Sequence, residues 1–208
     1  MIMRSDYIKK SVYDRIYNAM QYENMLAVQL SIETGARIGD IVSLRTDNLK
    51  KNTIKYIASK TGKEDKKVIS AELAKRLRKN ASGGYLFPST TSSSGHRTRQ
   101  AVWTDIKKAA KLCGIKSNVS PHSARKTYAV EDYHRNGLNK AQADLQHDNL
   151  NTTLLYVLSD QLSGGGTPAE THGTCSKCCF DCDEFIKKLT RNICDTLVLL
   201  FQESKNIN

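Results

Sequence analysis

No stretch of this 208-residue sequence has the length and apolar character of a membrane span, and no segment resembles a secretory signal. The most apolar run, Ile193 to Phe201, is interrupted by Asp195 and is too short. The spaced cysteines of a secreted disulfide framework are also wanting. Four of the six cysteines crowd between Cys175 and Cys182, while Cys113 and Cys194 stand alone. Acidic residues are few beside basic ones, 21 against 32, leaving a net charge of +11. These shortages argue against a membrane protein and an extracellular disulfide scaffold, and the expected location is the cytoplasm. The positive surplus attracts polyanions, of which nucleic acid is the commonest, although surface lysines alone produce the same balance.

The length suits one domain with a real core, with room for a second small unit. Apolar residues at helical spacing predict helices over Tyr7 to Met20 and Glu23 to Ser31, and Ile41, Val42 and Leu44 suggest a short buried helix. Gly35 and Gly39 bracket Arg37 and break the pattern. In NTIKYIASKTGKEDKKVIS, β-branched and aromatic residues flank a polar turn, which predicts a β-hairpin with Lys60 to Asp65 in or beside the turn. Ser70 is a fitting N-cap for a helix from Ala71 to Lys79. A loop from Ser89 to Gly95 leads to a helix over Arg99 to Cys113, ended by Gly114. Ser120 and Pro121 have the order that opens a helix, and Gly137 closes it after Asn136. Asn139 to Gln146 and Thr152 to Leu158 complete the helical set.

Beyond Asp160 the composition changes. LSGGGTPAETHG reads as a flexible linker and leads to the cysteine cluster. The two C-x-x-C pairs of CSKCCFDC abut without the loop that separates zinc knuckles, so no metal is expected there. A last amphipathic helix is expected from Asp183, with Ile186, Leu189, Ile193, Leu197 and Leu200 on one face. It could fold back on its own domain or dock on a neighbouring subunit. The expected organisation is a catalytic unit over residues 1–160, a Gly- and Cys-rich linker over 161–182 and the helix over 183–208.

The residues that carry chemistry are Arg37, Lys60, His122, Arg125, His147 and Tyr156. A tyrosine hydroxyl, with an unperturbed pKa of about 10, is a poor nucleophile unless cations or a base favour its phenolate. A phosphodiester under attack gains negative charge, and the planar guanidinium forks of Arg37 and Arg125 suit its non-bridging oxygens. His122 and Arg125 are three residues apart, so one helical face can aim both at one phosphate. A lysine on a mobile turn can protonate the leaving 5′-oxygen, and Lys60 is placed for it, with Lys63, Lys66 and Lys67 as competitors. His147 could bond a non-bridging oxygen or position Tyr156. A tyrosyl ester conserves the energy of the broken bond, so this chemistry needs neither cofactor nor metal.

In this order the residues resemble the catalytic domain of tyrosine recombinases, the phage integrase family. TGARIGDIVSLRTDNL is similar to its first motif, with Arg37; SKTGK to the hairpin whose lysine is the general acid, here Lys60. PHSARKTYA resembles the second motif, with His122 and Arg125, and QHDNLNTTLLY the third, with His147 and the nucleophile Tyr156. The match runs from about Asp6 to Leu158. Gln146 stands where glycine is usual, and Ala124 and Lys126 replace commoner residues, none of them catalytic. The resemblance implies a mainly α fold with a small antiparallel β-sheet (α+β). It also implies site-specific recombination through a 3′-phosphotyrosyl intermediate, in integration or excision of a mobile element. Its partner would be double-stranded DNA, bound by a homo-oligomer, with no small-molecule substrate and no membrane. Too few residues precede Arg37 to encode the family's N-terminal core-binding domain, so an isolated or truncated catalytic domain is expected. Two rival readings share the scaffold, a type IB topoisomerase and a DNA-binding regulator without catalysis.

Overall fold

The computed structural model describes residues 5–145, all in the first of the two units, Met1–Gly165 and Gly166–Asn208, into which the chain divides. His147, Tyr156, the expected helix over Thr152 to Leu158, the linker, the cysteine cluster and the expected terminal helix lie outside the described residues.

Seven α-helices, a short 3-10 helix (Thr46–Asn48) and one small sheet make up the described part. The helices are α1 (Lys10–Tyr17), α2 (Tyr22–Thr34), α3 (Ile38–Val42), α4 (Ala71–Asn80), α5 (Arg99–Leu112), α6 (Pro121–Asn136) and α7 (Leu138–Asp144). Between α3 and α4 lie the strands β1 (Leu49–Lys50), β2 (Thr53–Ile57) and β3 (Glu64–Val68), antiparallel in that order. This is the mainly helical α+β architecture expected.

Helix α2 is the axis of the domain. Its Leu26, Ala27, Val28, Leu30, Ser31 and Thr34 are all buried, so it is covered on every side rather than along one stripe. Helices α3, α4, α5 and α6 all pack against it. Each neighbour starts from a local signal. Ser70 accepts from the Leu73 amide (3.3 Å) to cap α4, and Thr98 accepts from Ala101 (3.1 Å) to cap α5. Ser120 accepts from His122 (3.2 Å) while the Ser123 hydroxyl accepts from the Ser120 amide (3.1 Å), a reciprocal cap for α6. Glu33 of α2 then grips the start of α4, one carboxylate oxygen taking the Ser70 amide (2.8 Å) and the other its hydroxyl (2.9 Å).

The hairpin obeys the two-residue alternation of strands. Ile54 and Tyr56 turn inward while Lys55 and Ile57 face solvent, and across from them Asp65 and Lys67 turn inward between outward Glu64, Lys66 and Val68. Strand β3 begins at Glu64, so the turn occupies Ala58 to Lys63 and holds Lys60.

Element ends differ from expectation where distant partners claim the backbone. Helix α1 starts at Lys10 rather than Tyr7, because the preceding chain bonds elsewhere: Asp6 donates to the Asn118 carbonyl (3.0 Å) and Thr127 to that of Ile8 (2.7 Å). It also stops at Tyr17, short of Met20. Helix α2 runs past Ser31 to Thr34, and α3 begins at Ile38 because Arg37 takes its N-cap position. Strand β1 has no counterpart in the expected hairpin.

Gly35 ends α2 in the left-handed region (φ +69°), where a Cβ would stand 2.4 Å from Cδ1 of Tyr128. Gly35→Ala therefore combines backbone strain with overpacking and should cost about 2 kcal/mol or more in urea unfolding. Gly114 has a similar φ of +67° with nothing within 4 Å, so Gly114→Ala should cost only about 1 kcal/mol.

Candidate active site

The turn between α2 and α3 is held by short polar side chains. Thr34 donates to the Leu30 carbonyl (2.6 Å) and accepts from the Ala36 amide (3.2 Å), while Ser31 donates to the Ala36 carbonyl (2.9 Å). Arg37 follows at the N-cap of α3, its carbonyl accepting from Asp40 and Ile41 (both 3.0 Å), with its side chain half-buried.

Arg125 comes to the same place from α6. It is 5% exposed, and its two terminal nitrogens donate to the carbonyls of Gly35 and Leu145. One buried guanidinium thus joins the end of α2, just before Arg37, to the end of α7, just before the segment with His147 and Tyr156. A charge at this depth requires such acceptors to replace water.

His122 lies on the first turn of α6 with its surface open to solvent. Partial burial, followed by the charges of Arg125, Lys126 and Arg37, lowers its pKa from the ordinary 6.5 to about 4. For an accessible ring the three cations are the cause that persists in water. Their joint effect brings Arg37, His122 and Arg125 into one electrostatic neighbourhood, and the imidazole is neutral at pH 7.

Lys60 is exposed in the hairpin turn. The turn is closed by bonds from Thr61 (3.2 Å) and Gly62 (2.8 Å) to the Ala58 carbonyl, with Gly62 in the left-handed region at φ +66°. Its link to Arg37 runs through Asp40, which is 8% exposed, donates its amide to the Arg37 carbonyl, and accepts at Oδ1 from the amide of Ser59, the residue before Lys60 (3.3 Å). The sequence reading passed over Asp40 although it belongs to TGARIGD. Its spacing of three from Arg37 was the signal, since both can then serve one helical face.

Beneath the site, Tyr56 donates to Oδ2 of Asp65 (2.9 Å). Burial, then Asp65, keeps this phenol protonated far above the ordinary tyrosine range, with Arg125 opposing the shift from nearby. Lys67, a competitor of Lys60 by sequence, is turned inward and held by acidic partners. Among the described residues no group of three His, Cys, Asp or Glu is arranged to hold a metal ion. None of the described helices is long and apolar enough to cross a membrane.

The sequence can be placed among known proteins on more than this geometry. It is 27% identical over 169 residues to the integrase of Escherichia phage P2, covering 76% of this chain and 47% of that one. It is 31% identical over 149 residues to the tyrosine recombinase XerD of Rhizobium meliloti (strain 1021), covering 65% of this chain and 47% of the relative. The chain thus spans about half the length of these relatives. Its fold is similar to that of a lambda integrase (75-356) dimer bound to a COC′ core site, with a TM-score of 0.64 at 20% identity over 76% of this chain and 60% of that one. The sequence model of the phage integrase family matches residues 6–162, a span that takes in Arg37, Lys60, His122, Arg125, His147 and Tyr156, and the chain belongs to that family.

Proposed function

We propose that this chain acts in site-specific recombination, cleaving and rejoining double-stranded DNA through a covalent 3′-phosphotyrosyl intermediate. The observation that carries the reading is the meeting of Arg37, His122 and Arg125 beside the turn that holds Lys60, in a chain of the phage integrase family.

In this reading the scissile phosphate sits against Arg37 and Arg125. The hydroxyl of Tyr156 attacks phosphorus, and the bond to the 5′-oxygen breaks as that oxygen takes a proton from Lys60. The arginines hold the charge gathering on the non-bridging oxygens, which is where fixed donors act most strongly. His122, neutral at pH 7, contributes a hydrogen bond rather than a third cation. His147 bonds a non-bridging oxygen or positions the tyrosine. Attack by a 5′-hydroxyl on the phosphotyrosine reverses the step, which permits exchange between two sites without an external energy source. Two sites require several subunits, and the lambda integrase relative forms a dimer on its core site, so we assign a homo-oligomer on DNA as the working form. Integration or excision of a mobile element is the setting that such exchange serves.

A nicked suicide substrate bearing the cognate site should trap a covalent protein–DNA adduct, and Tyr156→Phe should abolish it. Persistence of the adduct in Tyr156→Phe would show that another residue is the nucleophile. Lys60→Ala should slow cleavage by roughly 100- to 10,000-fold. A substrate with sulfur at the 5′-bridging position should restore it, since a thiolate leaves without a proton; no recovery would remove Lys60 from the acid role. By NMR, His122 should titrate near pH 4 in the protein alone. Arg37→Gln should move that midpoint upward, because it removes one of the charges that oppose protonation. An unchanged midpoint would separate Arg37 from His122.

A further inference from the structure

Lys67 is an oddity of the hairpin. A lysine on an outer strand ordinarily reaches into solvent, yet this side chain is 11% exposed and turned under the sheet. Its Nζ donates to the backbone carbonyl of Asp144 (2.9 Å) and stands 3.4 Å from the Asp144 carboxylate and 3.9 Å from that of Asp65. Its fourth neighbour is the ring of Tyr128, 5.8 Å below. An ammonium has three protons, and these acceptors surround it. It therefore serves as a strut rather than as a proton donor to DNA.

Position gives the strut its meaning. Asp144 is the last residue of α7, where carbonyls have lost their intrahelical partners and a cation complements the helix dipole. The next residue, Leu145, gives its carbonyl to Arg125. Successive peptide carbonyls at the end of α7 are thus held by Lys67 and Arg125. The same two residues are linked on the other side: Asp65 faces Lys67 and takes the Tyr56 hydroxyl, and Tyr56 lies within electrostatic reach of Arg125. A chain of contacts thus runs from Arg125 through Leu145, Asp144, Lys67 and Asp65 to Tyr56. In sequence, β3 continues directly from the turn with Lys60, and Leu145 stands two residues before His147.

We propose that Lys67 is a positioning residue for DNA cleavage, tethering the hairpin that carries Lys60 to the end of α7, from which the chain proceeds to His147 and Tyr156. This rests on the recombinase reading above. Its effect would be on the geometry of attack, where small misplacements are costly, and not on contact with DNA.

The test uses the full 208-residue chain and the variants Lys67→Met, which keeps the stem and removes the charge, and Lys67→Arg, which keeps the charge. At saturating suicide substrate, Lys67→Met should slow single-turnover cleavage by about 10- to 100-fold while the DNA Kd stays within about twofold, and Lys67→Arg should recover most of the rate. Amide exchange across Leu138 to Leu145 should quicken in Lys67→Met and not in Lys67→Arg, with α2 and α5 unchanged. Wild-type cleavage by Lys67→Met overturns the proposal, as does unchanged exchange in α7. So does recovery of Lys67→Met on the 5′-sulfur substrate, which would make Lys67 the acid. If wild type itself forms no adduct, the catalytic reading fails, and the exchange comparison alone decides whether the tether exists.

Discussion

The buried guanidinium of Arg125 is the constraint on which the site depends. A charge with 5% exposure is tolerated because two backbone carbonyls take its protons, and those carbonyls come from parts of the chain far apart in sequence. Gly35 can offer its carbonyl because α2 stops there in a left-handed turn, and Leu145 because α7 stops just before it. The ends of two helices are thereby set by a third. Tyr128, three residues after Arg125 on α6, packs over Gly35 and leaves no space for a larger residue there. Arg125 thus organises the candidate site through the protein's own backbone.

Around it the charges are sorted by task. Asp40 holds the backbone next to Lys60, Asp65 holds Tyr56, and Asp144 holds Lys67. The scarce carboxylates near the site are committed to fixing the protein's own parts. Partial burial, together with the cations Arg125, Lys126 and Arg37, meanwhile keeps His122 unprotonated. The field of these cations is what an anionic ligand would relieve.

The sequence was most legible where chemistry is local. Ser70, Ser120 and Pro121 announce their helices because a cap depends only on a few neighbouring residues. The hairpin is readable from β-branched and aromatic residues flanking a polar turn, and the grouping of His122 with Arg125 from helical spacing. What was not readable depends on distant partners. The extended course of Asp6 to Ile8 comes from bonds to Asn118 and Thr127, which no local pattern announces. Asp40 was in plain view in the first motif, but its bond to Ser59 requires the hairpin to fold back over α3. Lys67 stands in the sequence only as one of the lysines competing with Lys60, since the Asp144 carbonyl that accepts its hydrogen bond belongs to α7, far along the chain.

That inward lysine also bears on how the domain behaves in a crowd. Strand β3 is one of the two outer strands of its sheet, and an outer strand offers unsatisfied backbone groups to any extended peptide that drifts past. Glu64, Asp65, Lys66 and Lys67 give it four charged residues in five, of both signs and on both faces. An invading strand would have to cover these charges and compete with their present ion pairs, Lys55 with Glu64 and Lys67 with Asp144. The composition that anchors α7 thus also discourages edge-to-edge aggregation.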